Sequence, residues 1–477
     1  MNLMHRPWSK TRIAALTTGA SALAAAMLAA APAAPQASGT SGRTAGALPR
    51  VDFNLQAAPR LAAPLSAPPT TAQCEKLYGF ACDSPDQIRD AYHLPALYEK
   101  GITGKGATIV IVDPFGSPTI RNDLATFDQQ FGYPAPPSLK IIAPAGKIPP
   151  YNGGDPGMIT AAGETTLDVD YAHALAPGAD ILLVQTPVAE TEGTTGFPQI
   201  VAAEKYVIDH GLGDVISQSF NATEETFTSR RQLEPLRAAY LDAYAHHVTV
   251  LASSGDSGTT GPTIAGLLYR RPVTSWPDSD PLVTAVGGTQ LRMSGGQFTS
   301  TAWNDTYDTA VNQYYGGNAG PNAAASGGGV SEFFGRPGYQ DGVKSVAGAR
   351  RGVPDISMSA SSVVAYHSFG GLPPGWSLIA GTSEATPEFA AIVALADQVA
   401  GHRLGLVNPR LYELSARHAS GIVDVTSGNN TVSFRQGAGG RLRTVHGFPA
   451  KEGYDLVTGL GTINAPYLVR ELAGGSG

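Results

Sequence analysis

Three short stretches of this 477-residue chain carry side chains able to move protons or attack a carbonyl carbon. In GETTLDVDYAHALAPGAD, residues 163–180, Glu164 and Asp168 stand four apart ahead of Pro177-Gly178, which ends the helix. That spacing puts both carboxyls on one helix face. If the face is buried, repulsion leaves one of them holding a proton, and the pair can serve as general acid and base. The same spacing fits a solvated acidic face, although Leu167, Val169, Ala172 and Leu175 make the neighbouring surface apolar. In GTSEATPEFAAIVALADQVAG, residues 381–401, Ser383 follows a turn of small residues and opens an apolar helix. Helix-terminal N–H groups there would stabilise a developing oxyanion, but a plain Ser N-cap has the same spelling. In LASSGDSG, residues 251–258, an apolar strand runs into Asp256. The carboxyl end of such a strand is where ligands collect in open α/β sheets, and equally where an Asp steadies a turn.

A serine nucleophile needs a base, most often histidine. The chain has 10 histidines, and none sits in a recognisable catalytic setting; His173 shares its helix with the carboxylate pair. The residues thus offer a serine with carboxylates, and a weaker case for a serine with histidine.

These groups need elements to hold them. Runs at 107–113, 180–186, 214–220, 248–254, 282–288 and 363–369 read as strands, several continuously apolar as in a parallel sheet buried on both faces. Helical patterns at 121–131, 163–175, 197–210, 232–246 and 386–401 alternate with them. The expected fold class is α/β: a single large doubly wound domain with a mostly parallel sheet.

With 42% hydrophobic residues the chain can bury a large core, and its 15% charged residues fall below the ~25% of an average domain. A net charge of −7 and the lack of any Lys/Arg run argue against nucleic acid as a partner. Arg6, Lys10 and Arg12 precede an uncharged stretch from Ile13 to Ala31, and Ala31-Pro32-Ala33 offers a cleavage site. Residues 1–33 therefore read as a signal peptide and the mature protein as secreted and extracellular. Its Ala, Thr and Ser content is too weakly apolar for a lasting anchor, and no second long apolar run follows, so no stable membrane anchor is expected after signal removal. Residues 34–84 read as an Ala/Pro-rich linker or short pro-segment, 85–472 as the folded domain and 473–477 as a tail. Cys74 and Cys82, the two cysteines, are expected to form one short bridge in an exported protein. Asn221-Ala-Thr and Asn304-Asp-Thr fit the glycosylation sequon. No pattern sets the oligomeric state.

The order Glu-x-x-x-Asp, SGDSG, GTS-x-x-x-Pro resembles the sedolisin family of serine-carboxyl peptidases, which share a subtilisin-like fold. DAYHLP (90–95), ALAPGADI (174–181), SWPDSDPLVTAVGGT (275–289), GGGVSEFF (327–334) and RRGVPDIS (350–357) are similar to that family too. Subtilisin proper is less similar, since its histidine motif is missing, although IVIVDPFG around Asp113 is faintly like its first strand. The resemblance implies that Ser383 is the nucleophile, Glu164 the base that takes its proton, Asp168 the group that holds Glu164, and Asp256 a protonated donor in the oxyanion hole. It also implies one structural Ca²⁺ held by the carboxylates of Asp424 and Asp455 and the carbonyls of Val425, Lys451 and Gly453, an all-oxygen shell. The function implied is a secreted, acid-active serine-carboxyl endopeptidase acting on protein or peptide substrates. Alternatives are a tripeptidyl-peptidase-type exopeptidase, a catalytically inactive secreted binding protein on the same fold, and a Ser-His-Asp hydrolase. Three departures stand out: Glu384 follows the nucleophile where the family usually has a small residue, Lys451 replaces a common glycine, and no large pro-domain is expected before DAYHLP. Restraint before export would then need either no zymogen stage or a separately encoded helper.

Overall fold

The computed structural model describes residues 65–474 apart from 295, 317–318 and 437–439. The expected signal peptide, most of the expected linker and the last residues of the tail lie outside that set. The apolar runs form an eight-stranded sheet whose seven parallel members follow one another from edge to edge. They are Ile356–Ser359, Thr284–Ser294, Thr249–Ser253, Val215–Gln218, Thr108–Pro114, Asp180–Thr186 and Leu139–Ile142. Gln297–Ala302 adds antiparallel to Thr284–Ser294.

Side chains of a strand alternate between faces, and here both faces are buried. Ile109, Ile111, Ile181 and Leu183 join one apolar cluster with the helices Pro156–Leu175 and Thr382–Ala400. Val110, Val112, Leu182 and Val184 join another with Phe197–Asp209 and Ala238–Ala245. This is the doubly wound arrangement expected from the sequence. The winding reverses at Thr108–Pro114: later strands add first on one side of it, then from Val215 onward on the other. The carboxyl end of such a switch strand is the natural crevice of an α/β sheet.

Three expectations need correction. Val363–His367 is a strand but pairs antiparallel with Gly375–Ile379 outside the main sheet, because Ile356–Ser359 already occupies the edge beside Val286–Thr289. The helix expected over 232–246 is split into Arg230–Leu233 and Ala238–Ala245 around Pro235, which lacks an N–H to continue it. Residues 65–84, expected as linker, belong to the folded body. Thr70 and Gln73 form a capping box that starts the helix Thr71–Tyr78, Cys74 and Cys82 are bridged, and Cys74, Phe80 and Cys82 lie in the core. Among the described residues no helix is long and apolar enough to cross a membrane.

Candidate active site

The crevice collects its groups from four separate segments. Glu164 and Asp168 lie within the helix Pro156–Leu175, which Asp155 caps by accepting the Gly157 amide at 2.9 Å. Ser383 is the second residue of the helix Thr382–Ala400, packed against it. Asp256 follows the strand Thr249–Ser253, and Asp113 is the penultimate residue of Thr108–Pro114. Glu164, Asp168, Asp113, Asp256 and Ser383 are all at most 4% exposed, so the solvated-face alternative for the carboxylate pair does not hold.

Burial pushes the Glu164 carboxyl well above its ordinary value, Asp168 and then Asp113 add to the rise, and the Ser383 hydroxyl opposes it. That hydroxyl influences Glu164 without making a hydrogen bond of good geometry, as is common before substrate binds. Asp168 is raised by burial and by Asp113, and the Ser219 hydroxyl, donating to Oδ1 at 3.0 Å, opposes this. Burial also lifts Asp113 to about 7, against the Thr165 hydroxyl. Three acids that close cannot all ionise, so they share protons and titrate as a set.

Pro387 sits inside the helix that carries Ser383 and has no N–H to give the Ser383 carbonyl four residues back. The Ser219 hydroxyl reaches that carbonyl at 3.3 Å as well as Asp168. One side chain thereby ties the backbone of Ser383 to the carboxylate set.

Asp256 is anchored on one oxygen only. Its Oδ1 accepts the Thr382 amide at 2.8 Å and the Thr382 hydroxyl at 2.7 Å, whereas the buried Oδ2 has no partner among the described residues. Burial pushes this carboxyl up to about 7, with the Thr382 bonds opposing the rise. Gly381 has φ +140°, and a Cβ there would stand 2.5 Å from Asp256 Oδ2, so the turn into the Ser383 helix needs glycine. A protonated Oδ2 is a donor held beside the serine, suited to a developing oxyanion.

No described histidine hydrogen-bonds to this set; His173, on the same helix as Glu164, is buried against the Pro134 carbonyl at 2.8 Å and Asp128 at 3.3 Å. The Ser-His-Asp alternative finds no support. A larger surface cavity, about 760 Å³ and lined by Gln290, Arg292, Asn304, Tyr307 and Asn429, contains none of the site groups. Both sequon amides are engaged: Asn221 Nδ2 donates to Ser253 O from a buried position, and Asn304 Nδ2 to the carbonyls of Asn429 and Thr431.

The four groups singled out from sequence thus converge, and Asp113 joins them as a further carboxyl. The signal for it was present: a continuous apolar strand ending in an acid at its carboxyl end, the position that also drew attention to Asp256.

The C-terminal loops bring together the five expected calcium ligands. Asp424 Oδ2 accepts the Gly453 amide at 2.8 Å, and Asp455 accepts the amides of Lys451, Val457 and Thr458 at 3.0, 2.9 and 2.8 Å. The Thr458 hydroxyl links Asp455 to the Val425 carbonyl. The carbonyls of Lys451 and Gly453 accept no hydrogen bond from the described residues. No cluster of three or more His, Cys, Asp or Glu ligands occurs among those residues, so an ion here would depend on carbonyls. Two carboxylates and three carbonyls, all hard oxygens, fit Ca²⁺, and Lys451 contributes only backbone.

With this geometry in hand, the subtilase family model matches residues 157–439, more than half of the chain. The chain belongs to the subtilase family. It is 31% identical over 386 residues to kumamolisin from Bacillus sp. (strain MN-32), covering 80% of this chain and 61% of that protein. It is 30% identical over 338 residues to Homo sapiens tripeptidyl-peptidase 1, covering 67% and 53%. The chain therefore spans between half and two thirds of the length of these relatives. A solved Pseudomonas sedolisin, described as a serine-carboxyl proteinase complexed with pseudo-iodotyrostatin, superposes with a TM-score of 0.65 at 24% identity, covering 82% of this chain and 98% of that one. The sedolisin resemblance and the subtilisin-like fold expected from the motifs are borne out.

Proposed function

We propose that the protein is an acid-active serine-carboxyl endopeptidase. The observation that carries the reading is the burial of Ser383 beside Glu164, Asp168 and Asp113, with Asp256 Oδ2 lacking a hydrogen-bond partner among the described residues and no described histidine hydrogen-bonded to the set. Ser383 Oγ attacks the carbonyl carbon of a bound peptide bond while its proton passes to ionised Glu164. Asp168 and Asp113 share the remaining protons and hold Glu164 in place. Asp256, protonated, donates through Oδ2 to the oxygen of the tetrahedral intermediate. Glu164 then hands its proton to the leaving amine; water, deprotonated by the same carboxylate, attacks the acyl carbon, the bond to Ser383 Oγ breaks, and Glu164 returns the proton to Oγ. The scheme needs one acid ionised and another neutral at once, a condition met on the acidic side of neutrality.

The C-terminal oxygen set would hold a structural calcium ion through Asp424, Asp455 and the carbonyls of Val425, Lys451 and Gly453. These residues, drawn from two loops, would hold the ion away from Ser383, where it would contribute stability. Export through the N-terminal leader is the third part of the reading, supported by the Cys74–Cys82 bridge, which suits an oxidising compartment. Glu384 offers no support for an inactive protein, since its carboxyl interacts with Glu388 and Asp83 and not with the catalytic set.

The test is cleavage of a denatured protein and a mixed peptide pool between about pH 3 and 8, with Ser383→Ala and Glu164→Gln as controls. Acid-optimal cleavage falling by about 10³-fold or more in both variants is expected. Internal fragment ends support endopeptidase action, and stepwise loss of tripeptides the tripeptidyl-peptidase alternative. Activity retained in Glu164→Gln overturns the mechanism.

A further inference from the structure

Behind the nucleophile lies a second set of buried acids that the mechanism does not use. Glu384 and Glu388 stand four apart at the start of the helix Thr382–Ala400, both fully buried. Glu388 Oε2 accepts the Ser359 amide at 3.2 Å, while both Glu384 oxygens and Glu388 Oε1 lack a hydrogen bond of good geometry among the described residues. A third buried carboxyl, Asp83, follows Cys82 at the end of the disulfide-closed loop. Its backbone pairs with the body, the Asp83 amide on Ser362 O at 2.8 Å and the Val364 amide on Asp83 O at 3.3 Å.

Among the described residues no compensating cation acts on this set. Tyr92 reaches the pair from the end of Pro85–Ala91, Tyr171 from Pro156–Leu175 and Tyr315 from Thr309–Gly316, and Ser359 offers backbone. No Lys, Arg or His enters the charges that act on Glu384, Glu388 or Asp83. Carboxyls at this spacing in a dry site repel when ionised and hydrogen-bond to one another when one keeps its proton.

We propose that Glu384, Glu388 and Asp83 form a proton-dependent latch, which clamps the disulfide loop against the start of the nucleophile helix while the carboxyls share protons and opens locally as they ionise toward neutral pH. The latch makes the alkaline limit partly structural. Ser383 adjoins Glu384, so opening disturbs the nucleophile, and the enzyme loses its active form by opening as well as by titration of the catalytic acids. The consequence for activity rests on the peptidase reading; the opening itself does not.

The experiment therefore uses the Ser383→Ala protein, which cannot digest itself, with and without Glu384→Gln and Glu388→Gln. Urea midpoints are measured between about pH 4 and 8, together with hydrogen exchange corrected for intrinsic rates. The parent is expected to lose stability as pH rises, with exchange opening at 79–84, 359–364 and 381–388. In the double variant the pH of half-loss moves up by about one unit or more, since the amides cannot ionise and the residue at 388 still accepts the Ser359 amide. Asp83→Asn alone serves if the double variant does not fold. An unchanged pH midpoint, or opening confined to other segments, overturns the latch. In the Ser383 background, the double variant is expected to keep its acid activity and to survive incubation at pH 7 longer. Absence of cleavage in both backgrounds counts against the peptidase reading and leaves the unfolding result standing.

Discussion

Replacing Asp256 separates its two roles, as a hydrogen-bond donor and as a buried acid. In Asp256→Ala the donor is lost, and removal of one such donor costs about 10²–10³ in kcat. In Asp256→Asn the side-chain oxygen still accepts from the Thr382 amide and hydroxyl, now at 2.8 and 2.7 Å on Oδ1, while Nδ2 takes the place of Oδ2 and donates at every pH. The wild-type donor exists only while Asp256 is protonated, so the rate should fall about tenfold per pH unit above its pKa of about 7. The Asn variant is expected to keep much of the acid rate and to lose that alkaline limb, read from initial rates within seconds of dilution so that slower opening does not intrude. Stability carries the same signature. Burial raises this carboxyl from 3.8 to about 7, so the folded state holds a proton that the unfolded chain releases. Its contribution is therefore intact below about pH 4, is lost as pH climbs to 7, and changes no further above that. At about 1.4 kcal/mol per pH unit the loss amounts to about 4 kcal/mol, an upper figure that relaxation around the site reduces. Urea denaturation at pH 4 and pH 7, on an inactive Ser383→Ala background, should show Asp256→Asn stabilised relative to its parent at pH 7 only. A wild-type alkaline limb in the Asn protein, or less than a tenfold loss in the Ala protein, refutes the assignment.

Asp113→Asn removes a carboxyl whose charge opposes ionisation of Glu164, so the acid limb of the pH–rate profile should move down by about one pH unit; an unmoved limb separates Asp113 from the catalytic set. Calcium at a hundredfold excess over Kd would add about 2.7 kcal/mol to stability. Chelation should then lower the melting temperature of the Ser383→Ala protein by several degrees, and Asp424→Ala should abolish that response. Calorimetry with and without added calcium decides the point, and equal melting temperatures rule the ion out.

Much of this arrangement was legible because chemistry and periodicity coincide. The i, i+4 spacing of Glu164 and Asp168 fixes their common face whatever the tertiary structure, while Leu167 and Val169 point toward burial without deciding it against a solvated face. The continuous apolar runs announced a sheet covered on both sides. Asp113 was harder to assign, since its role depends on how close a strand end comes to a helix distant in sequence. Glu384 could be seen as unusual, but its direction could not: only the packed helix shows it turned toward Glu388 and Asp83. The run 363–369 reads as a strand of the main sheet because local propensity reports extended backbone and says nothing of its partner. The segment 65–84 looked like linker because its order comes from a capping box and a disulfide, neither of which leaves a periodic trace.

The four segments that meet at the crevice are spread along the chain, from a strand end at Asp113 to a helix start at Ser383. A ribosome must therefore complete most of the domain before the full set of site groups exists. No nascent or clipped fragment ending before Ser383 holds both a nucleophile and its base. On the peptidase reading, assembly is itself a safeguard, since the capacity to cut arises only when the helix that starts at Thr382 packs onto the finished sheet and is absent from each piece taken alone.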